Sequence, residues 1–110
     1  MKLEVIAWNG GGSVREDDLR RRLEEEGFDV FHWRDEAGAD YQPHSHDHDE
    51  SLWVVDGEIV FGAGGREFRL KGGDRLLLPR GIVHTARAGA VGATYLIGEL
   101  HRVAKTRPTA

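Results

Sequence analysis

Residues 38–57 read Gly38-Ala39-Asp40-Tyr41-Gln42-Pro43-His44-Ser45-His46-Asp47-His48-Asp49-Glu50, then Ser51-Leu52-Trp53-Val54-Val55-Asp56-Gly57. In an extended strand, residues two apart share a face, so His44 and His46 project into one space. The Asp- and Ser-rich segment after them predicts a turn that brings Glu50 back beside the two imidazoles. Two neutral imidazoles and a carboxylate on one face make half of a metal site. His48 falls between these positions, flanked by Asp47 and Asp49, and is expected at the surface rather than as a further ligand.

A second stretch completes the pattern: Gly73-Asp74-Arg75-Leu76-Leu77-Leu78-Pro79-Arg80-Gly81-Ile82-Val83-His84. Asp74 and Pro79 bracket an apolar strand. Pro79-Arg80-Gly81 predicts a tight turn, because proline fixes φ and glycine tolerates φ > 0. His84 then opens the next strand and, on a closed barrel, would face the first group.

Working outward, short strands are predicted over 28–34, 41–46, 50–55, 58–61, 66–70, 75–78, 84–87 and 94–97, punctuated by Gly, Asp and Pro. Such evenly spaced strands, rich in aromatic and β-branched residues, indicate a sandwich or barrel. Before them, residues 2–8 form a first strand that ends at the breaker Asn9-Gly10-Gly11-Gly12. A helix follows, with Ser13 and Glu16 as a capping box, Asp17 and Asp18 in the first turn, and Gly27 as the stop. Its apolar stripe of Val14, Leu19 and Leu23 is thin, which predicts a surface helix. Arg20-Arg21-Arg22 have acidic residues four positions before and after them, so they read as a salt-bridged solvated face rather than a phosphate-binding patch.

The 110 residues fit one domain, expected over 1–101: strand and helix in 1–27, barrel in 28–101, and a polar C-terminal tail at 102–110. A formal net charge of −4 gives no basic stripe, so nucleic acid is not an expected partner. No apolar run approaches a membrane span, and Glu4 interrupts any apolar leader, so a cytoplasmic protein is expected. The absence of cysteine excludes disulfides, thiolate metal sites and cysteine nucleophiles. Asn9 and Gln42 are the only side-chain amides, and arginine far outnumbers lysine, which predicts a thermostable protein.

The two stretches, Gly38-x5-His44-x-His46-x3-Glu50-x6-Gly57 and Gly73-x5-Pro79-x-Gly81-x2-His84, resemble the two signature motifs of the cupin superfamily. The resemblance implies an all-β double-stranded β-helix, a jelly-roll barrel, here with one short N-terminal surface helix. It assigns His44, His46, Glu50 and His84 to one divalent transition metal (Mn, Fe, Co, Ni, Cu or Zn). It also implies a homodimer. Many members carry asparagine four residues after the last histidine; this chain has Ala88 there, at a position that is not a ligand.

Strand parity from Glu50 turns Leu52 and Val54 inward and Trp53 outward, to sheet packing or a dimer surface. Tyr41, Leu52, Val54 and Tyr95 are the expected substrate contacts, and Arg75 and Arg80 are expected at the surface as readily as near an anionic substrate. The first functional reading is a metal-dependent enzyme, of oxygenase or isomerase/epimerase type, acting on a small polar compound. The alternatives are a non-catalytic module that binds or senses a small ligand or metal, and a structural protein with an unused pocket.

Overall fold

Glycine-rich breakers and alternating apolar residues divide the chain into seven strands and one helix. The computed structural model describes residues 1–101. The elements are β1 (Glu4–Ile6), α1 (Glu16–Glu25), β2 (Asp29–Asp35), β3 (Asp40–His44), β4 (Asp49–Ala63), β5 (Arg66–Lys71), β6 (Arg75–Leu78) and β7 (His84–Leu100). The predicted tail at 102–110 lies outside the described residues.

All pairings are antiparallel, and β4 and β7 form the spine. The first part of β4 lies between β6 and the last part of β7, extending the sheet to β1 on one side and β2 on the other. The second part of β4 pairs with β5 and with the first part of β7, which in turn pairs with β3. The two long strands thus change partners along their length within one seven-stranded sheet, giving the expected all-β jelly-roll architecture.

This corrects one sequence reading. The predicted strands 50–55 and 58–61 are one strand, β4, and 84–87 and 94–97 are one strand, β7. The bends that looked like breaks are register shifts between Val54 and Asp56 and between Gly57 and Ile59. Gly57 has φ +82°, and a Cβ there would lie 2.1 Å from the Gly92 carbonyl oxygen. Only glycine lets β4 turn the corner this close to β7, so the strand bends without losing its partner.

Strand parity distributes side chains to two cores. Leu52, Val54, Ile59, Phe61, Leu70, Leu76, Leu78 and Tyr95 fill the barrel. Trp53 and Leu96 face the other way and meet Leu19 and Leu23 of α1, with Phe28. The helix is therefore a lid over the outer sheet face: Leu19 and Leu23 are buried, and the thin stripe is spent wholly on this contact. Trp53 points outward as expected but is buried, donating from Nε1 to the Gly73 carbonyl at 2.9 Å. It is sheet packing within the chain, and the expectation that it forms a dimer surface is corrected.

Arg75 is buried over the Trp53 ring, 4.5 Å from its centroid, donating to Ser51 Oγ and paired with Glu26, so it is not a surface residue. Arg22 lies over the same ring, whereas Arg20 and Arg21 pair with Glu16 and Asp18 as the charge pattern predicts. The capping box does not form. The N-cap is Arg15, with no side-chain cap bond, and its carbonyl accepts the first helical N–H groups. Val14, one position inside the predicted start and before the observed N-cap, packs against the outer core. Gly27, at φ +97°, ends α1 as expected.

Candidate metal centre

The two quoted stretches meet at one end of the barrel. The turn after β6 docks on the segment between β3 and β4: the Gly81 N–H donates to the His46 carbonyl at 2.8 Å, and the Arg80 N–H donates to Asp49 Oδ1 at 2.8 Å. Asp49 is buried and carries this clamp, a role its neighbours in sequence do not signal. Across the same seam His44 is the register partner of His84.

His44, His46 and His84 converge, with ring centroids 4.3 Å apart for His44–His84, 5.0 Å for His44–His46 and 5.2 Å for His46–His84. One nitrogen from each lies within 4.8 Å of the other two. The outer nitrogens are already used. His44 Nδ1 bonds the Gln42 carbonyl at 2.7 Å, and His84 Nδ1 bonds the Ile82 carbonyl at 3.0 Å. A carbonyl only accepts, so each Nδ1 carries the proton and each Nε2 keeps its lone pair. Fixing the tautomer through a second hydrogen bond is how proteins orient imidazole ligands. Burial holds the His84 pKa below the ordinary imidazole range, and the neighbouring His44 and His46 push it the same way. The donor set therefore fits a divalent transition metal.

Glu50 is buried and reaches the same end of the barrel, with Oε2 3.7 Å from His46 Nε2. The carboxylate is also engaged elsewhere: the same oxygen is 2.9 Å from His48 Nε2. His48 is thus not the surface residue the sequence suggests. Its side chain is only 11% exposed, and it stacks on His46 at 5.2 Å. Burial alone would lower the His48 pKa, but the carboxylates of Glu50, Glu99 and Asp47 outweigh it and raise the value.

A cavity of about 230 Å³ opens beside the three imidazoles. It is smaller than the ~300–1,000 Å³ of drug-sized sites, which limits it to a small ligand. Tyr41, Leu52 and Tyr95 line it, together with Trp33, Phe61 and Ile97. Val54 does not: it faces inward by parity but is wholly buried in the barrel core. Arg80, on the turn after β6, is not among the residues lining this cavity.

Asp35 escapes a sequence reading because it carries no motif, yet it organises the cavity wall. It is buried and accepts hydrogen bonds from Tyr95 Oη at 2.7 Å, from Trp33 Nε1 at 2.9 Å and from Tyr41 Oη. The phenolic protons are committed behind the wall, so this side of the cavity presents aromatic and aliphatic surface. Burial, followed by the bond to Asp35, raises the pKa of both tyrosines.

The Cupin domain family model matches residues 31–96, well over half of the chain. The chain belongs to the cupin family. Solved structures agree on the fold. An RmlC-like cupin from Shewanella frigidimarina NCIMB 400 is 23% identical, with a TM-score of 0.59 over 72% of this chain and 71% of that one. A cupin-2 domain containing protein from the same organism is 19% identical, with a TM-score of 0.60 over 91% and 80%. A protein with a double-stranded β-helix domain from Klebsiella pneumoniae is 26% identical, with a TM-score of 0.57 over 64% of each chain. No protein of curated function matches. As a cupin, the chain has a His/Glu cluster that can hold a metal ion. No helix among the described residues is long and apolar enough to cross a membrane.

Proposed function

We propose that this cupin holds a divalent transition metal through His44, His46, His84 and Glu50 and acts as a small metal-dependent enzyme, of oxygenase or isomerase/epimerase type. One observation carries the reading: the Nδ1 atoms of His44 and His84 are tied to backbone carbonyls, which leaves three imidazoles converging on a small cavity. When bound, such an ion supplies Lewis acidity or redox capacity. The chain's own residues bind and orient. Leu52, Phe61, Ile97 and the tyrosine rings exclude water from the body of the substrate. Because both phenols donate their hydrogen bonds to Asp35, the polar end of the substrate is directed to the histidine end of the cavity. The substrate class is therefore a small compound with one polar end, contacted by Tyr41, Leu52 and Tyr95.

The metal assignment is tested on untagged protein by elemental analysis. His84→Ala is expected to remove one equivalent of metal relative to the native chain. Equal metal content in the two proteins would sink the assignment. Metal affinity should also fall in acid, because an imidazole must be neutral to serve as a ligand.

The second reading is a non-catalytic binding or sensor module. It draws on the same two phenols, whose held protons make them poor acids and bases. A tight ligand recovered unchanged after prolonged incubation with metal-loaded protein favours this reading over turnover. We propose a homodimer for either role. Trp53 no longer supports it, but β2 is an edge strand with Phe31 and Trp33 about half exposed, a surface suited to a second copy. The cytoplasm is the proposed compartment.

A further inference from the structure

Past the three converging imidazoles the cluster does not stop. β4 and β7 pair in register Asp49↔Leu100 and Glu50↔Glu99, so the next step outward sets His48 opposite His101. The rings confirm it: their centroids are 4.6 Å apart. Glu99 lies between them, with Oε2 3.7 Å from His48 Nε2 and Oε1 3.0 Å from His101 Nε2. One ligand atom from each of His48, Glu99 and His101 lies within 4.8 Å of the other two. Glu99 also lines the cavity.

Glu50 joins this group to the first. Its Oε2 faces His46 on one side and His48 on the other, at 3.7 Å and 2.9 Å. Glu50 and Glu99 are also direct cross-strand partners. Like charges placed opposite each other destabilise a sheet unless a cation lies between them. Among the described residues, every ion-pair partner of these two carboxylates is a histidine, and no lysine or arginine compensates them. Glu50 is moreover buried, so its charge rests on the imidazoles of His46 and His48 or on a cation held among them.

We infer that His48, Glu99 and His101 form a second divalent-metal position, with Glu50 as the carboxylate shared by both positions. The donors are two imidazoles and two carboxylates, a set suited to zinc, manganese, cobalt or iron. A shared carboxylate places such ions a few ångströms apart, on the order of 3.5–4 Å in two-metal sites. The second ion would sit at the cavity rim, with its exposed side at His101, whose side chain is 44% exposed.

The probe is zinc, loaded by equilibrium dialysis into untagged full-length protein and counted by elemental analysis. The native chain is expected to bind two equivalents. His101→Ala and Glu99→Gln should each bind one, and His84→Ala should bind one, lost from the other position. His101 is exposed, so its removal does not threaten the fold, and a thermal melt of each apo variant checks this. With manganese, the native chain should give an exchange-coupled electron paramagnetic resonance signal. His101→Ala should give the signal of an isolated ion.

One equivalent in the native chain, lost in His84→Ala but kept in His101→Ala, would overturn the second position and leave the first intact. Two equivalents unaffected by His101→Ala and Glu99→Gln would overturn the assignment of these ligands. One equivalent lost in His101→Ala but kept in His84→Ala would support this position and remove the reading under Proposed function. Binding of no zinc or manganese would overturn both.

Discussion

Tyr41 and Tyr95 are the only tyrosines in the chain, and both give their hydroxyl protons to Asp35. Burial and that carboxylate raise both phenol pKa values above the ordinary ~10. A raised folded-state pKa means the folded chain holds the proton more tightly than the unfolded chain. The resulting stability is fully present below about pH 10 and is lost as pH rises through the folded values. Alkaline titration should therefore show no tyrosinate absorbance near pH 10 while the fold persists, with ionisation arriving together with unfolding. Tyrosinate appearing near that pH in a protein with native circular dichroism would contradict this account. Asp35→Ala leaves a buried phenol without its acceptor and is expected to cost roughly 2 kcal/mol or more, read by urea denaturation. Nothing in the sequence around Asp35 announces this role. It becomes visible only when β2, β3 and β7 lie side by side.

At the scale of elements, α1 and the outer sheet face are one unit. Leu19 and Leu23 close over Trp53 and Leu96, and Arg22 and Arg75 each lie over the indole. Trp53→Ala should cost about 3–5 kcal/mol, the range for deleting a buried aromatic side chain. Because the indole faces away from the cavity, that variant should keep the metal content of the native protein when folded. A loss of metal at full folding would mean the helix lid reaches the site. Val14, Leu19 and Leu23 are in plain view in the sequence, and so is the outward parity of Trp53. Their meeting is not, because periodicity gives the face a helix buries but not the surface it is buried against. The two long strands were obscured for a related reason: Gly57 and Gly92 read locally as breaks, whereas continued pairing with neighbours carries both strands through the bend.

For the whole molecule, scarcity of amides and an arginine-rich charge set lead us to expect a melting midpoint above the ~45–65 °C usual for mesophile domains, measured by calorimetry on apo and metal-loaded protein. A midpoint inside that range would remove the inference from composition. Light scattering at micromolar concentration should return the mass of two chains, and Phe31→Asp on the β2 edge should return one. A native chain that is monomeric would end the dimer proposal. The sequence by itself determined the all-β fold and nominated His44, His46, Glu50 and His84 as a candidate metal group, because strand period, turn chemistry and motif spacing are local properties of the chain. Only the tertiary structure decided which residues share the site with them. Asp35 behind the tyrosines, Asp49 under the Arg80 turn, and His48 opposite His101 beside Glu99 are brought together by strand register. Register is set by the packing of residues far apart in the chain, so no local pattern records it.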